Sequence, residues 1–407
     1  MRIIADFHIH SKYSRATSRD MEIPPISRWA KIKGINLVGT GDFTHPDWLK
    51  EIKSYLKEYE DGIYEYQGVF FILSAEVNLI FSFKGKSRKV HISLLSKSIE
   101  DVEKLNKTFS EFTDLSIDGR PILPLNCIEF TKLVKDVSPD TFIYPAHAWT
   151  PWFGIFGSVT GFDSLEEAFG DEIKHIHAIE TGLSSDPPMN WMVSKLDKIT
   201  LLSNSDAHSP SNLGREANVF NIDLNYHELI DSIIKKDKSK FLFTIEFFPE
   251  EGKYHFDGHR NCGVSMSPAA SIKIKNICPK CHKPMTLGVL HRVYDLKDRD
   301  SFDKNNFIPY KSVVPLMELI SQALNKTENS KVVQDEYSKI IGRFENEFNV
   351  LVFLPIDEMV GKIDERILKL IKNMRDGKVI TKPGFDGEFG KIEVVFEKEE
   401  EKPPSLF

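Results

Sequence analysis

The sequence predicts an α/β fold followed by two smaller regions, on three observations. Short apolar runs alternate with amphipathic helical stretches up to about Phe248, the rhythm of βα units around a parallel sheet closed into a barrel. Near Glu250–Arg260 the rhythm breaks into a loop-rich stretch that is followed by clustered cysteines. After Val313 helical periodicity returns. In order, Ile3-Ile4-Ala5 reads as the first strand, Ile26–Lys33 as a helix, Leu37–Thr40 as a strand, Trp48–Tyr59 as a helix and Val69–Ala75 as a buried strand. Phe142–Tyr144 and Ile199–Ser203 read as later strands, each an apolar run ending in a polar cluster. Val313–Phe348 reads as helix, Val350–Leu354 as a strand and Ile356–Met374 as a further helix. The expected organisation is a barrel over 1–250, a small cysteine-bearing module over 251–300, a mainly helical region over 301–395 and a charged, Pro-rich flexible tail over 396–407.

Bulk composition bounds the function. A length of 407 residues predicts two or three domains at roughly 100–200 residues each. With 41% hydrophobic and 28% charged residues the balance is that of a globular protein. No apolar run is long enough to span a bilayer, and the start of the chain lacks the apolar core of a signal peptide, so no membrane association and a cytoplasmic location are expected. Four cysteines are too few for a disulfide scaffold. A net charge of -7 argues against a general nucleic-acid coat protein, yet between Lys273 and Arg299 seven Lys/Arg face two Asp. Charge therefore has to be read by segment.

The chemistry lies at the strand ends. His8 and His10, in Asp6-Phe7-His8-Ile9-His10, fall on one side of an extended chain, where two imidazoles can share an ion. Asp42 and His45 follow the second strand, Glu76 follows Phe71–Ala75, and His91 opens the apolar stretch to Leu95. His147 follows the strand at Phe142, and Asp206 and His208 follow the one at Leu201. In a barrel of this kind reactive residues sit just after the strands. Imidazoles mixed with carboxylates suit two or three divalent ions (zinc, manganese, magnesium or iron), with a carboxylate bridging two of them. Glu180, ending another strand-like run, is a candidate to orient a ligand from behind, with a capping role the alternative. Lys12 and Arg15 follow the first motif and are candidates for a phosphate, with solvated loop charges as the alternative.

These motifs resemble the polymerase and histidinol phosphatase (PHP) superfamily: the DxHxH start, GDFTH, the lone Glu76, PAH and SDAH. The resemblance implies a distorted (β/α)7-type PHP barrel with a trinuclear metal site that hydrolyses phosphate esters. Carried over by position, it implies a first metal on His8, His10, Glu76 and Asp206 and a second on Glu76, His91 and His147. Asp42, His45 and His208 fall where the third is bound, and Asp206 and His208 are the expected catalytic pair. One departure is Phe43, which stands where the superfamily often has histidine; His45 is the substitute at hand.

Cys278-Pro279-Lys280-Cys281 with Cys262 upstream across fifteen intervening residues reads as a structural zinc knuckle. His259 makes a His-x-x-Cys half that mirrors it, with His255 and His282 as rivals for the fourth ligand. Lys273, Lys275, Lys280, Lys283 and Arg292 give this module a basic face suited to a phosphate backbone, the alternative being a plain structural staple. Trp149, Trp152, Phe153 and Phe156 follow the ligand candidate His147 and are candidates to stack on a displaced base, or else to pack as a flap. The barrel motifs, then HRNCG…CPKCH…GVLHRV, then Pro383–Gly390 resemble the endonuclease Q family over the chain up to about Val395. That resemblance implies a DNA repair endonuclease cutting 5′ to uracil, hypoxanthine or xanthine and at abasic sites, with damaged double- or single-stranded DNA as partner and a replication clamp as a further one. The rival readings are a small-molecule PHP phosphatase of histidinol-phosphate or nucleotide type, which leaves the zinc module unused, and a non-catalytic DNA-binding accessory protein, which leaves the ligand set unused.

Overall fold

The computed structural model describes residues 1–396, so the tail expected over 396–407 lies, from residue 397 on, outside the described residues. In chain order the first elements are β1 (Arg2–Asp6), α1 (Ile23–Lys33), β2 (Leu37–Gly39), α2 (Pro46–Tyr55), β3 (Lys57–Glu60), β4 (Ile63–Tyr66), β5 (Val69–Phe83) and β6 (Lys86–Ser96). There follow α3 (Ile99–Phe109), β7 (Ile122–Leu123), α4 (Cys127–Val137), β8 (Phe142–Pro145), α5 (Leu165–Phe169), β9 (Ala178–Glu180), α6 (Pro187–Trp191), β10 (Thr200–Leu202), β11 (Ala217–Asn221), α7 (Tyr226–Ile234) and β12 (Phe241–Glu246). Together they make a mixed α/β fold around a central 11-stranded sheet, with β9 and β10 as a separate parallel pair.

The sheet is not the uniformly parallel one expected. β1, β2 and β5 run parallel to their neighbours in that series, but β1–β11, β11–β12, β5–β6 and β6–β8 are antiparallel. The physical reason at β5–β6 is its turn. Phe83 pairs with Lys86 across the two residues Lys84 and Gly85, whose φ values of 50° and 74° both lie in the left-handed region. Such a turn matches strand twist and closes a tight hairpin, which no βα reading anticipates. As a result β5 runs on to Phe83, well past the expected end at Ala75. The helix expected to Tyr59 stops at Tyr55, and Lys57–Glu60 pairs instead with β4.

Beyond the sheet lie β13 (Asp257–His259), β14 (Val264–Met266), α8 (Pro268–Lys273), α9 (Val289–Leu296), β15 (Tyr310–Ser312), α10 (Leu316–Leu324), α11 (Lys331–Phe344), α12 (Ile356–Met359), α13 (Glu365–Arg375), β16 (Val379–Lys382) and β17 (Lys391–Val394). The long helix expected to Met374 is broken between α12 and α13, where Gly361 takes a φ of 70°. Val350–Leu354, expected as a strand, is a π-helical turn over Asn349–Phe353. A short apolar run cannot distinguish the two by pattern. Here Arg375 decides, donating from its guanidinium to the carbonyls of Val350, Leu351 and Leu354 at 2.7, 2.9 and 2.6 Å. This C-terminal region is tied to the sheet side by a buried ion pair, Lys33 Nζ to Glu347 Oε2 at 2.7 Å, with Tyr337 Oη donating to the same carboxylate oxygen. No helix among the described residues is long and apolar enough to cross a membrane.

Candidate metal centre

The loops past β1, β8 and β10 and the middle of the β5–β6 hairpin bring most of the predicted donors together. Past β1, Ile9 bridges in parallel to Ala207, with His10 N donating to Ala207 O at 3.0 Å, so the His8–His10 and Asp206–His208 segments lie side by side. On the β5–β6 hairpin Glu76 pairs with Ser93 and Asn78 with His91, which sets Glu76 and His91 diagonally on one face. Ala146 N donates to His91 O, bringing His147 alongside.

Three groups of donors result: His8 with His10 and Glu76, His10 with Asp206 and His208, and Glu76 with His91 and His147. Glu76 is common to two of them. Its Oε1 stands 2.8 Å from His91 Nδ1, 3.0 Å from His147 Nε2 and 3.5 Å from His8 Nε2, while Oε2 is 3.6 Å from His10 Nε2. Asp206 Oδ1 lies 3.0 Å from His10 Nε2 and 3.8 Å from His8 Nε2. His8 Nε2, His10 Nε2, Glu76 Oε2 and Asp206 Oδ1 are buried and have no hydrogen-bond partner among the described residues. Buried polar atoms are ordinarily paired, so unpartnered donors gathered in two adjoining groups that share His10 fit divalent cations. Burial raises the Glu76 carboxyl, but the imidazoles of His91 and His8 outweigh it and hold the group well below the usual carboxylate range. Backbone strain concentrates here: Asp42, His147 and Asp206 have φ values of 44°, 27° and 48°.

The imidazoles are aimed from behind. Glu180 accepts from His8 Nδ1 at 3.0 Å and also takes His147 N and Asn204 Nδ2, the orienting geometry foreseen for it. Asp42 Oδ1 does the same for His10 Nδ1 at 3.0 Å, while its Oδ2 takes Ser11 N and the hydroxyls of Ser11 and Ser14. Both oxygens of Asp42 are thereby engaged. His45 is turned away as well, its Nε2 on the Ser116 carbonyl at 3.1 Å and its ring stacked on Tyr13. The third position expected on Asp42, His45 and His208 thus has only His208 within the cluster, beside His10 and Asp206.

Among the substrate candidates, Lys12 is held by Glu22 and Glu51 at 2.7 and 2.9 Å, so its charge is neutralised locally. Arg15 is 77% exposed, with Nε 3.2 Å from Asp118. The aromatic run divides. Trp149 is 1% exposed, donates to Asn190 Oδ1 and packs on Phe156, so these two rings belong to the core and offer no free face. Phe153 lies against the His91 ring at 4.5 Å between centroids, and Trp152 is 43% exposed, edge-on to Tyr254. Arg292, expected on a basic face, instead donates to the carbonyls of Phe156 and Phe162 and to Asp163, pinning that flap.

Arg120, Asp6 and Asn204 were not foreseen. Asp6 accepts from Ser205 N and Gly214 N, and Asn204 accepts from Phe7 N, which locks β1 to the Asp206 loop. Asn204 lies two residues before Asp206 in the polar run after β10, a position that could have flagged it. Arg120 stands 3.8 Å from Glu76 on a loop that follows no strand-end motif.

Away from this centre, His259, Cys262, Cys278 and Cys281 form a fourth donor group, with Cys281 Sγ 3.4 Å from His259 Nδ1. His255 and His282 are not part of it. Burial pushes the Cys278 thiol up, but the backbone N–H groups of Cys281 and Lys280 outweigh it and bring it down to about 6. The β13–β14 hairpin carrying His259 is strapped by the 383–390 segment: Phe385 packs into the space that a side chain at Gly258 would fill, and Asp386 accepts from Arg260 N.

The chain is similar along its whole length to a crystal structure of the lesion-specific endonuclease PfuEndoQ from Pyrococcus furiosus, with 34% identity and a TM-score of 0.87 over 97% of this chain and 96% of that one. The chain belongs to the endonuclease Q family. A second structure, endonuclease Q in complex with a 27-mer duplex carrying an abasic lesion at the active site, matches at 34% identity and a TM-score of 0.85 over 97% of each chain. A family model described as the MJ0043 C-terminal domain matches residues 315–378. The MJ0043 protein of Methanocaldococcus jannaschii is 34% identical over 253 residues, 60% of this chain, and the match spans 31% of that relative's length.

Proposed function

We propose that this endonuclease Q family chain is a metal-dependent, lesion-specific DNA endonuclease that hydrolyses the phosphodiester bond 5′ to deaminated bases (uracil, hypoxanthine, xanthine) and at abasic sites. The observation that carries the reading is the single carboxylate, Glu76, facing imidazoles of two donor groups at 2.8–3.6 Å. His8, His10, Glu76 and Asp206 would hold one metal and Glu76, His91 and His147 a second, with His208 beside Asp206 at the edge of the cluster. Bound there, the metals would supply a water acidic enough to attack at neutral pH and charge to offset the phosphate oxygens. The side chains behind them set the donors. Glu180 and Asp42 accept hydrogen bonds from Nδ1–H of His8 and His10, so that the Nε2 atoms face the cluster. Residues 1–250 then act as a distorted (β/α)7-type phosphoesterase barrel, 251–300 as a module stapled by zinc on His259, Cys262, Cys278 and Cys281, and 301–395 as a DNA-binding region. Arg15, Trp152 and Phe153 have the exposure to meet DNA.

An end-labelled duplex with one deoxyuridine or abasic site, beside an undamaged duplex and a small phosphomonoester, tests the reading with manganese present. Incision of the lesion strands alone is expected. Phosphate release from the ester without strand cleavage would favour the small-molecule phosphatase, and no hydrolysis of either the binding-protein alternative.

A further inference from the structure

Arg120 is carried by a loop clamped against the cluster. Gly119 N donates to Tyr13 O at 3.1 Å, Thr44 Oγ1 donates to Gly119 O at 2.9 Å, and Arg120 N donates to Asp118 Oδ1 at 3.0 Å. A Cβ at Gly119 would lie 2.5 Å from Asp42 Cγ, so only glycine lets this loop approach so closely. The guanidinium delivered this way is 22% exposed, stands 3.8 Å from Glu76 Oε2, and hydrogen-bonds through Nη2 to the Arg15 carbonyl at 3.5 Å. Of the acids nearby, Asp42 is engaged by His10 and two serines and Asp118 by Arg15, while Glu76 Oε2, at 3.8 Å, lies beyond hydrogen-bond reach of the guanidinium.

A guanidinium has five N–H donors, and this one makes a single long hydrogen bond among the described residues. Leaving such a group largely desolvated and underused is costly. Beside donors that gather divalent cations its charge is repulsive, unless an anion is shared between them. A phosphate diester supplies that anion, with oxygens spaced for a planar fork.

We propose that Arg120 grips the substrate phosphate, binding its non-bridging oxygens on the side of the cluster next to Arg15, a role that rests on the phosphoesterase reading above. The sign of its effects separates it from a structural arginine. Removing a phosphate-binding cation beside the metals should weaken phosphate binding and at the same time tighten metal retention.

The test uses the full chain loaded with manganese, comparing the natural protein with Arg120→Met. Inorganic phosphate binding is read by titration calorimetry, and manganese retention by titration against a chelator. Arg120→Met is expected to bind phosphate about ten- to a hundredfold more weakly, the equivalent of one charge-assisted contact, while holding manganese at least as tightly. Arg120→Gln, read the same way, replaces it if the methionine variant does not fold. Unchanged phosphate affinity, no phosphate binding by the natural protein, or parallel loss of phosphate and manganese would each overturn the proposal. Lesion cleavage is read separately: a protein that binds phosphate through Arg120 but leaves damaged DNA intact refutes the nuclease reading and not this one.

Discussion

The two donor clusters of this chain are built on opposite plans. The Cys/His group draws four ligands from two short knuckles within His259–Cys281, soft donors in a closed set. The cluster around Glu76 gathers imidazoles and carboxylates from loops and from the β5–β6 hairpin between His8 and His208, with His8 and His10 aimed by carboxylates behind them, and shares one carboxylate between groups. The first plan suits a staple, because thiolates saturate a tetrahedron and leave nothing to react. The second suits chemistry, because hard donors and shared oxygens leave coordination positions for water and substrate.

The sharpest way to break this contrast is to neutralise one member of each cluster. Asp206→Asn removes charge at nearly constant volume and should lower single-turnover incision by about a thousandfold or more, with a near-native melting curve. Near-normal turnover with full metal content would remove Asp206 from the chemistry. Cys278→Ser should do the reverse: about one zinc fewer per chain by elemental analysis, and faster hydrogen exchange over 251–300, since folding and metal binding are coupled in such modules. Equal zinc content in this variant would show that the four donors do not form a metal site.

Glu180→Gln probes the partners behind the donors. It keeps the hydrogen bond to His8 but loses the charge, and such changes typically cost about ten- to a hundredfold in metal affinity or rate. An effect confined to stability would mean that Glu180 only braces β9.

A pH experiment separates the scaffold from the chemistry. Burial pushes Glu246 up to about 8, where the hydroxyls of Thr181 and Thr244 reach it. A carboxyl that holds its proton more tightly when folded costs stability as pH rises from its unfolded value near 4.5 to about 8, and the loss levels off above that. The urea midpoint of the natural protein should therefore fall between pH 5 and 8 by more than that of Glu246→Gln, on the order of a kcal/mol or more. Parallel midpoints would place the titration elsewhere. At the rim, Trp152→Ala should lower incision of a deaminated duplex by roughly 1–3 kcal/mol equivalent, and that of a deaminated single strand less. Equal losses on both would make Trp152 a packing residue like Trp149.

What was legible in the sequence follows the same division. The knuckles could be read from spacing alone, since Cys278 and Cys281 meet within one turn of chain. The larger cluster was readable only as an accumulation of His8, Glu76, His147 and Asp206 after apolar runs. Their partners were harder. Asp42 carries a donor's chemistry, and only the fold reveals that Ser11, Ser14 and His10 occupy it. Arg120 has no strand before it to announce its position. The antiparallel course of β5 and β6 depends on two backbone angles at Lys84 and Gly85 that no hydropathy pattern encodes. Trp149 and Trp152 have the same chemistry three residues apart, and only packing sends one inward and the other out.

The bridge between Ile9 and Ala207 also has a temporal meaning. It closes a contact between a segment made at the start of the chain and one made midway along it. At roughly 5–20 residues per second, His8 and His10 wait on the order of 10–40 s on the ribosome before Asp206 and His208 are made. During that interval the two imidazoles lack the Asp206 carboxylate, although Glu76 follows them much sooner. Assembly of the full donor cluster is therefore a late event, and the order of translation itself delays it until the sheet can enclose it.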